Sequence, residues 1–341
     1  MKTDTKKILR RIIIGFLLGL TICLLIYVLL AMFFKKNTFV SNTENVKHEK
    51  LVNEEQNGEK EQGIEDETVI SLKPEDYGNV AWATTLLASE TLVPTTADNL
   101  IRANALATAN TPQGGCTDGE YFYQAYIATE TNSDQFNNRC VIVKYDLKTG
   151  SVVKESEPLQ LNHANDMTYN SKRDCLVIIH NQPVANCITY MDPDTLEVTD
   201  QFAIDYFMFS IDYNATTDQY VIGLTSSQTF CILNSEFEAV TEVFQPSTRT
   251  KSCTTQGIAM DDDFIYFVFY KSNVIGVYDW DGNFVTLIEI EKFVQESRYE
   301  PENLSVIDGE IYVGCAKKIG DGGFYVFKLS GFVPKPETET E

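Results

Sequence analysis

With 341 residues, a net charge of −22 and a pI near 4.5, the chain is too acidic to hold nucleic acid by neutralising phosphates. Its length admits one large domain or two. Aromatic residues make up 11%, mostly Tyr and Phe, which suits a β-rich core.

Residues 1–11 hold Lys2, Lys6, Lys7, Arg10 and Arg11, and residues 12–34 follow without a charge. That run is long enough to cross about 30 Å of hydrocarbon as a helix. It exceeds the roughly 7–15 apolar residues of a signal peptide, and LLAMFFKK offers no small-x-small cleavage site. The excess of positive charge ahead of it predicts a single-pass membrane anchor with a cytoplasmic N-terminus and the rest of the chain outside the cell. Gly15 and Gly19 form a GxxxG within the span, a pattern that brings helices together as a homodimer. Residues 35–76 are rich in Glu, Lys, Asn and Gln and hold too little apolar surface to fold, so a disordered acidic stalk is expected.

Between 77 and 110, NVAWATTLLA and ETLVP read as strands. Thr96 to Asp98 followed by NLIRANALATAN reads as an N-cap and a short helix. Beyond this point one short passage recurs five times: QGGCTDGEYFYQAY from Gln113, NDMTYNSKRDCLVII from Asn165, FSIDYNATTDQYVIGL from Phe209, QGIAMDDDFIYFVF from Gln256 and NLSVIDGEIYVGC from Asn303. Aligned on Asp118, Asn170, Asn214, Asp261 and Asp308, the steps are 52, 44, 47 and 47 residues. Short strands and turns at that period predict the blades of a β-propeller. The expected fold is all-β: a five-bladed β-propeller over 77–333, with a disordered tail at 334–341. The first repeat has four strand-like runs (113–117, 121–128, 140–145 and 152–159), whereas the last has three (303–307, 310–315 and 324–329). An open sheet edge invites aggregation, so a segment within 79–95 is expected to supply the missing outer strand and close the ring.

KYDLKTG (144–150), YMDPDTLE (190–197) and VYDWDGN (277–283) fall at one phase, after the third strand of their repeats. Their Asp residues are turn chemistry. The runs Asp261–Asp263 and Asp279/Asp281 lack the spaced oxygen set of an EF-hand, and no CxxC or Cys/His cluster occurs, so no metal site and no cofactor are expected. Seven cysteines follow the span. Cys175 and Cys187 are the best disulfide guess, while five of the seven sit in apolar strand patterns, where a free thiol packs as a small hydrophobe.

Five positions before each alignment point stand Gln113, Asn165, Phe209, Gln256 and Asn303. A ring of carboxamides at the start of the innermost strands either braces itself internally or presents donors and acceptors to a polar ligand. The next positions, Gly114, Asp166, Ser210, Gly257 and Leu304, are mostly small or polar, as strands converging on an axis require. His163 and Asp166 flank Asn165, Glu300 and Glu302 precede Asn303, and Thr254 and Thr255 precede Gln256. The expected ligand-binding set is Gln113, His163, Asn165, Asp166, Gln256 and Asn303. His163, Asp166 and Glu302 are the candidates for acid–base catalysis. His180 ends an apolar strand and reads as structural. No GxSxG, HExxH, P-loop or dinucleotide motif is present.

The repeat phrases over about 110–330 resemble secreted bacterial β-propellers of the YVTN and quinoprotein-like kind, in which an inner strand leads to a YD…TG turn. TTQGIAMDDDFIYF (254–267) is also similar to the Phe-Thr-Gln-Gly-Leu passage of plant-type glutaminyl cyclases, with Thr254 where that family has Phe. The latter resemblance implies a five-bladed propeller and cyclisation of N-terminal Gln. Three functions are therefore expected in turn. The first is a membrane-anchored binding module for a polar small molecule, glycan or peptide at the channel mouth. The second is an enzyme at the same mouth, a glutaminyl-cyclase-like cyclotransferase, a lyase or a hydrolase. The third is a partner-docking scaffold.

Overall fold

The computed structural model describes residues 91–104, 106, 109–128, 139–181, 184–224, 229–241, 254–294, 299–317 and 323–336, all within one compact unit. The expected span at 12–34, the stalk at 35–76, residues 77–90 and residues 337–341 lie outside them. Among the described residues no helix is long and apolar enough to cross a membrane.

Strand β1 (Thr91–Ala103) opens the described chain. A four-stranded sheet follows, in the order β2 (Ala109–Thr117), β3 (Tyr121–Ala128), β4 (Cys140–Asp146) and β5 (Val152–Glu155). The next sheet is β6 (Asp166–Asn170), β7 (Cys175–Ile179), β8 (Cys187–Met191) and β9 (Val198–Ala203). A three-stranded sheet holds β10 (Met208–Asn214), β11 (Gln219–Leu224) and β12 (Phe230–Asn234). The last sheet has eight strands. It reads β13 (Thr254–Met260), β14 (Phe264–Tyr270), β15 (Val274–Asp279), β16 (Phe284–Glu289), then β1, β19 (Phe324–Pro334), β18 (Glu310–Lys317) and β17 (Tyr299–Ile307). A four-residue helix, α1 (Glu291–Val294), precedes β17.

Burial explains why the middle strands lack alternation. In β3, YFYQAYIA, every residue after Tyr121 is buried, and CLVII of β7 is buried throughout. A strand covered on both faces has no polar side to present. At the outside, all four residues of β5 are exposed. The core is divided into five clusters, each between neighbouring sheets or neighbouring halves of the long sheet. One joins Cys116, Tyr123 and Ile142 to Met167, Leu176 and Ile178. The next joins Val177 and Ile188 to Ile211 and Tyr220. The third joins Val221 and Ile232 to Ile258 and Phe267. The fourth joins Tyr266 and Val277 to Leu304 and Val313. The fifth joins Val326 and Tyr312 back to Phe122 and Val143. Each large side chain so buried stabilises by about 1.5–3 kcal/mol. The first strands follow the same cycle: β2 lies against β6, β6 against β10, β10 against β13, β13 against β17 and β17 against β2. They enclose an axial channel, whose upper end is where these strands begin and whose lower end is where they finish.

Closure of the ring is as expected, but the closing segment is longer and lies later in the chain. β1 pairs antiparallel with β19 from Leu92↔Pro334 to Ala103↔Phe324, and Thr91 and Leu92 also pair parallel with Leu287 and Ile288 of β16. Only its first five residues fall within 79–95. The helix expected after Thr96 is therefore a strand. Local propensity favoured the cap, but the unpaired edge of β19 offers a full ladder, and tertiary pairing overrides a weak local preference.

The expected disulfide is absent. Cys175 and Cys187 are free thiols. Cys175 pairs with Asn170 at the lower end of its hairpin, whereas the Cys187 carbonyl accepts from His180 N at the upper end. Five residues of strand separate those levels, about 16 Å, far beyond disulfide reach. Cys116, Cys140, Cys175, Cys231 and Cys315 are buried, as small hydrophobes are. The turn aspartates behave as expected. Asp146 Oδ1 accepts from Thr149 N, Asp192 Oδ1 from Asp194 N and Thr195 N, and Asp279 Oδ1 from Asp281 N and Asn283 N.

Candidate functional site

At the upper end, the first strands depart from regular pairing at one common level. β2 is bulged at Gln113–Gly114, between the pairs Pro112↔Tyr126 and Gly115↔Gln124. β10 carries Phe209 as an extra residue, β13 is bulged at Gln256–Gly257 and β17 at Glu302. β6 is regular but enters through three consecutive left-handed residues, Asn162 (φ 46), His163 (φ 81) and Ala164 (φ 44). A bulge re-aims a side chain out of the ladder, and left-handed non-glycine backbone is costly unless its surroundings hold it. Here Ala164 N donates to Leu161 O at 2.9 Å and Asn181 N to Asn162 O at 2.7 Å.

Much of the expected ligand set is consumed at this level by the protein itself. Asn165 Nδ2 donates to Phe209 O at 2.6 Å, and its Oδ1 accepts from Asn181 Nδ2 at 2.8 Å. Asn303 Nδ2 donates to Gln113 O at 3.0 Å and to Gln124 Oε1 at 3.1 Å. Asp166 Oδ2 accepts from Ile211 N at 3.1 Å, and its Oδ1 accepts from Met167 N at 3.0 Å. All three are buried, and each ties its own first strand to the next around the ring. Their bonded atoms brace the ring, although Asn303 Oδ1 is buried without a hydrogen-bond partner among the described residues. Gln113, His163, Gln256 and Glu302 remain half-buried. Gln256 Nε2 reaches Glu300 Oε1 at 3.2 Å, and Gln113 Nε2 reaches its own neighbour's Pro112 O at 2.7 Å. Burial lowers the pKa of His163, so its ring is neutral at neutral pH. The small residues do have the expected packing reason. A Cβ on Gly114 would lie 2.3 Å from Asp166 Cα, and one on Gly257 would lie 2.6 Å from Leu304 N.

His180 is fully buried. Its ring nitrogens meet Asn162 Nδ2 at 2.9 Å and Thr189 Oγ1 at 2.7 Å. Burial lowers its pKa to about 4. It supports the left-handed turn and is structural, as its position in the sequence implies.

The lower end is built from turns. Asp118 Oδ1 accepts from Glu120 N (2.8 Å) and Tyr121 N (2.7 Å), while Oδ2 accepts from Tyr123 OH (2.8 Å). Asp261 repeats the arrangement with Asp263 N (2.9 Å), Phe264 N (2.7 Å) and Tyr266 OH (2.6 Å). Asn170 and Asn214 close the equivalent turns through Arg173 N and Thr217 N. These residues are the alignment points of the repeat. Asp118, Asn214 and Asp261 border a cavity of about 830 Å³ whose wall also includes Asp212, Asp262, Asp263 and Asp308 and no Lys, Arg or His. Among the described residues, no three His, Cys, Asp or Glu side chains converge to hold a metal ion.

Asp212 is the residue that sequence reasoning missed. It sits mid-strand in β10, between Ile211 and Tyr213, where an Asp is disfavoured, and that placement was the available signal. Its Oδ1 accepts from Thr168 Oγ1 at 2.6 Å and its Oδ2 from Met260 N at 2.8 Å. It thus joins three first strands. Burial raises its pKa to about 7 against the opposing pull of those hydrogen bonds. Burial likewise holds Asp166 well above the ordinary carboxylate range. Phe209 is the one non-amide of the upper ring, and Asp212 supplies, lower down, a bond from β10 to β13.

These features define a β-propeller-like fold with a channel open to solvent at its lower end. No protein-family model matches the sequence, and no curated protein matches it. Solved structures do. The glutaminyl cyclase of Myxococcus xanthus has a TM-score of 0.52 at 13% identity, over 71% of this chain and 100% of that one. The tail fibre of Staphylococcus aureus phage P68 has a TM-score of 0.51 at 13% identity, over 69% of this chain and 52% of that one. At such identity the likeness is one of fold.

Proposed function

We propose that the chain is a five-bladed β-propeller, carried outside the cell on a membrane helix over 12–34, that binds a polar ligand at the upper end of its channel. Five first strands adjacent in a closed cycle support the blade count, with the eight-stranded sheet counted as two blades joined at Thr91 and Leu92. The observation that carries the binding reading is the common level of backbone irregularity. Bulges at Gln113–Gly114, Phe209, Gln256–Gly257 and Glu302, and the left-handed turn at His163, put unlike side chains on one rigid ring. A regular propeller has no need of this, and bulges gather at functional rims. The lower end holds a cavity of about 830 Å³, but Asp118 and Asp261 are spent there on turn hydrogen bonds.

The test is thermal melting of the full chain against sugars, cell-wall fragments, peptides and amines. A hit is expected to lose its stabilising shift in Gln256→Ala while the unliganded melting temperature stays within a few degrees. A shift that survives Gln256→Ala places the ligand elsewhere and ends this reading.

An enzyme is the second reading, and Asp212 favours it. A carboxyl group titrating near neutrality on the wall of a cavity is suited to proton transfer. The TTQGI passage lies in β13 with Gln256 at the opposite end from that cavity, so a cyclase-like reaction would instead recruit His163 or Glu302. Turnover lost in Asp212→Asn but kept in His163→Ala selects the lower cavity, and the reverse selects the upper end.

A further inference from the structure

We infer that the lower cavity takes a small organic cation that brings hydrogen-bond donors, an ammonium or a guanidinium group. This goes beyond the upper-end reading and does not rest on it. The five turns that frame the cavity, at 118–121, 171–174, 215–218, 261–264 and 308–309, all belong to the described residues. Asp118, Asp212 and Asp261 are bonded there to backbone N–H groups and hydroxyls. Asp262 takes Asn214 Nδ2 at 2.8 Å and Thr216 Oγ1 at 3.1 Å. All these donors are neutral. Asp263 and Asp308 accept no hydrogen bond among the described residues, and the ion pairs of those residues involve other groups. Burial raises the pKa of Asp263, and the charge of Asp262 raises it further.

Acidity alone describes a solvated rim. A second observation lies deeper in the cavity. Ser305 of β17 lines it, is only 6% exposed, and has no hydrogen-bond partner among the described residues. Its hydroxyl is not sealed inside the protein, unlike that of Ser210, so the surface it keeps opens into the cavity. Thr117, Thr168 and Tyr213, the other buried hydroxyls in the wall, are all bonded, to Tyr121 O, Asp212 Oδ1 and Asp218 Oδ1. A buried polar group left unpaired is costly. The cavity thus joins an inner hydroxyl that lacks a partner to carboxylates that only accept. A cleft lined by charge of one sign focuses its field on the opposite charge. A sugar does not answer that charge, and an anion is repelled. A bare metal ion needs several ligands converging on one point, and among the described residues none do. An ammonium or guanidinium brings both the donors and the charge, and a volume of about 830 Å³ suits a small molecule.

The experiment is calorimetric titration of the full chain with spermidine, agmatine, choline and calcium chloride. Spermidine or agmatine is expected to bind, more weakly as salt rises. Asp263→Asn is expected to weaken that binding about tenfold, the loss of one charged hydrogen bond, and Ser305→Ala several-fold. Neither side chain makes a hydrogen bond among the described residues, so both variants are expected to melt with the wild type. Glu197→Gln, on the exposed turn before β9, removes a charge outside the cavity and is expected to leave binding unchanged. Equal losses in Glu197→Gln and Asp263→Asn would show attraction to bulk acidity and overturn the site. Binding lost in Gln256→Ala and kept in both cavity variants overturns the inference and leaves the upper-end reading standing. Choline binding as tightly as the other two overturns the need for donors. Calcium binding without either of them, lost in Asp263→Asn, overturns the organic class. No binding of spermidine or agmatine overturns the inference outright.

Discussion

The two ends of the channel use the same residue types for opposite ends. At the lower end, Asp118 and Asp261 each take two backbone N–H groups and a tyrosine hydroxyl, and Asn170 and Asn214 repeat the backbone part of the arrangement, because those hairpins share one kind of turn. At the upper end, Asn165, Asp166 and Asn303 bond across blades, each in its own way, where bulges have broken the repeat. Repetition marks what the fold requires of each blade separately. Departure from it marks where blades meet and where half-buried side chains are left over. A residue that recurs in register is thus a poor site candidate, even when it lines a cavity.

Packing gives the sharpest way to break that comparison. Gly114→Ala sets a Cβ 2.3 Å from the backbone of β6 and is expected to cost about 3 kcal/mol or more. Gly119→Ala, in a lower-end turn at φ 96 with nothing nearer than 3.8 Å, is expected to cost only about 1 kcal/mol. Urea melts of the two variants decide it. Equal losses would mean that the upper end is no tighter than the lower.

Titration separates the ends by sign. Asp212 has a folded pKa of about 7, raised above its ordinary value of 3.8. Its contribution is complete below about pH 4 and is lost as pH rises through 7, by up to about 4 kcal/mol. His180, near the upper end, has a folded pKa of about 4, lowered from 6.5. Its contribution is complete above about pH 6.5 and is lost as pH falls towards 4, by up to about 3 kcal/mol. In stability measured from pH 4 to 8, Asp212→Asn is expected to remove the decline on the alkaline side. A wild-type profile that Asp212→Asn leaves unaltered would show that Asp212 is not held near neutrality.

Single side-chain bonds give smaller effects. Asn303→Ala leaves Gln124 Oε1 without its donor, while Gln113 O keeps the bond from Gln124 Nε2, and is expected to cost about 2 kcal/mol. Tyr266→Phe removes one hydroxyl from Asp261 at the lower end and is expected to cost about 1 kcal/mol. If the order of these two were reversed in chemical denaturation, the lower turns rather than the inter-blade clips would be the main polar support of the ring.

The period of the repeat was legible because a strand buried on both faces recurs, closed by an Asx turn at Asp118, Asn170, Asn214 and Asp261 and by a left-handed Asp308-Gly309 turn in the last repeat, and both leave marks at fixed spacing. The positions of Asp118, Asn170, Asn214, Asp261 and Asp308 follow from that alone. The carboxamides were legible as a ring, but whether they faced a ligand or one another was not. Asn165 and Gln256 look alike in sequence. One is buried against Phe209 O, while the other is half-buried with its amide N–H on Glu300 Oε1. The Cys175–Cys187 pairing failed for a related reason: adjacency of two strands says nothing of the level at which each residue sits along the hairpin.

The sequence by itself determined the strand periodicity, the turn chemistry and the need for a strand from the N-terminal side to close the last blade, because these are local or follow from counting. Only the tertiary structure decided that Thr96–Ala103 is that strand rather than a helix, that Asp212 is held near neutrality, and which amides are spent on bracing. Each depends on what a neighbouring blade brings into contact, and that neighbour lies about 45 residues away in the chain or at its opposite end.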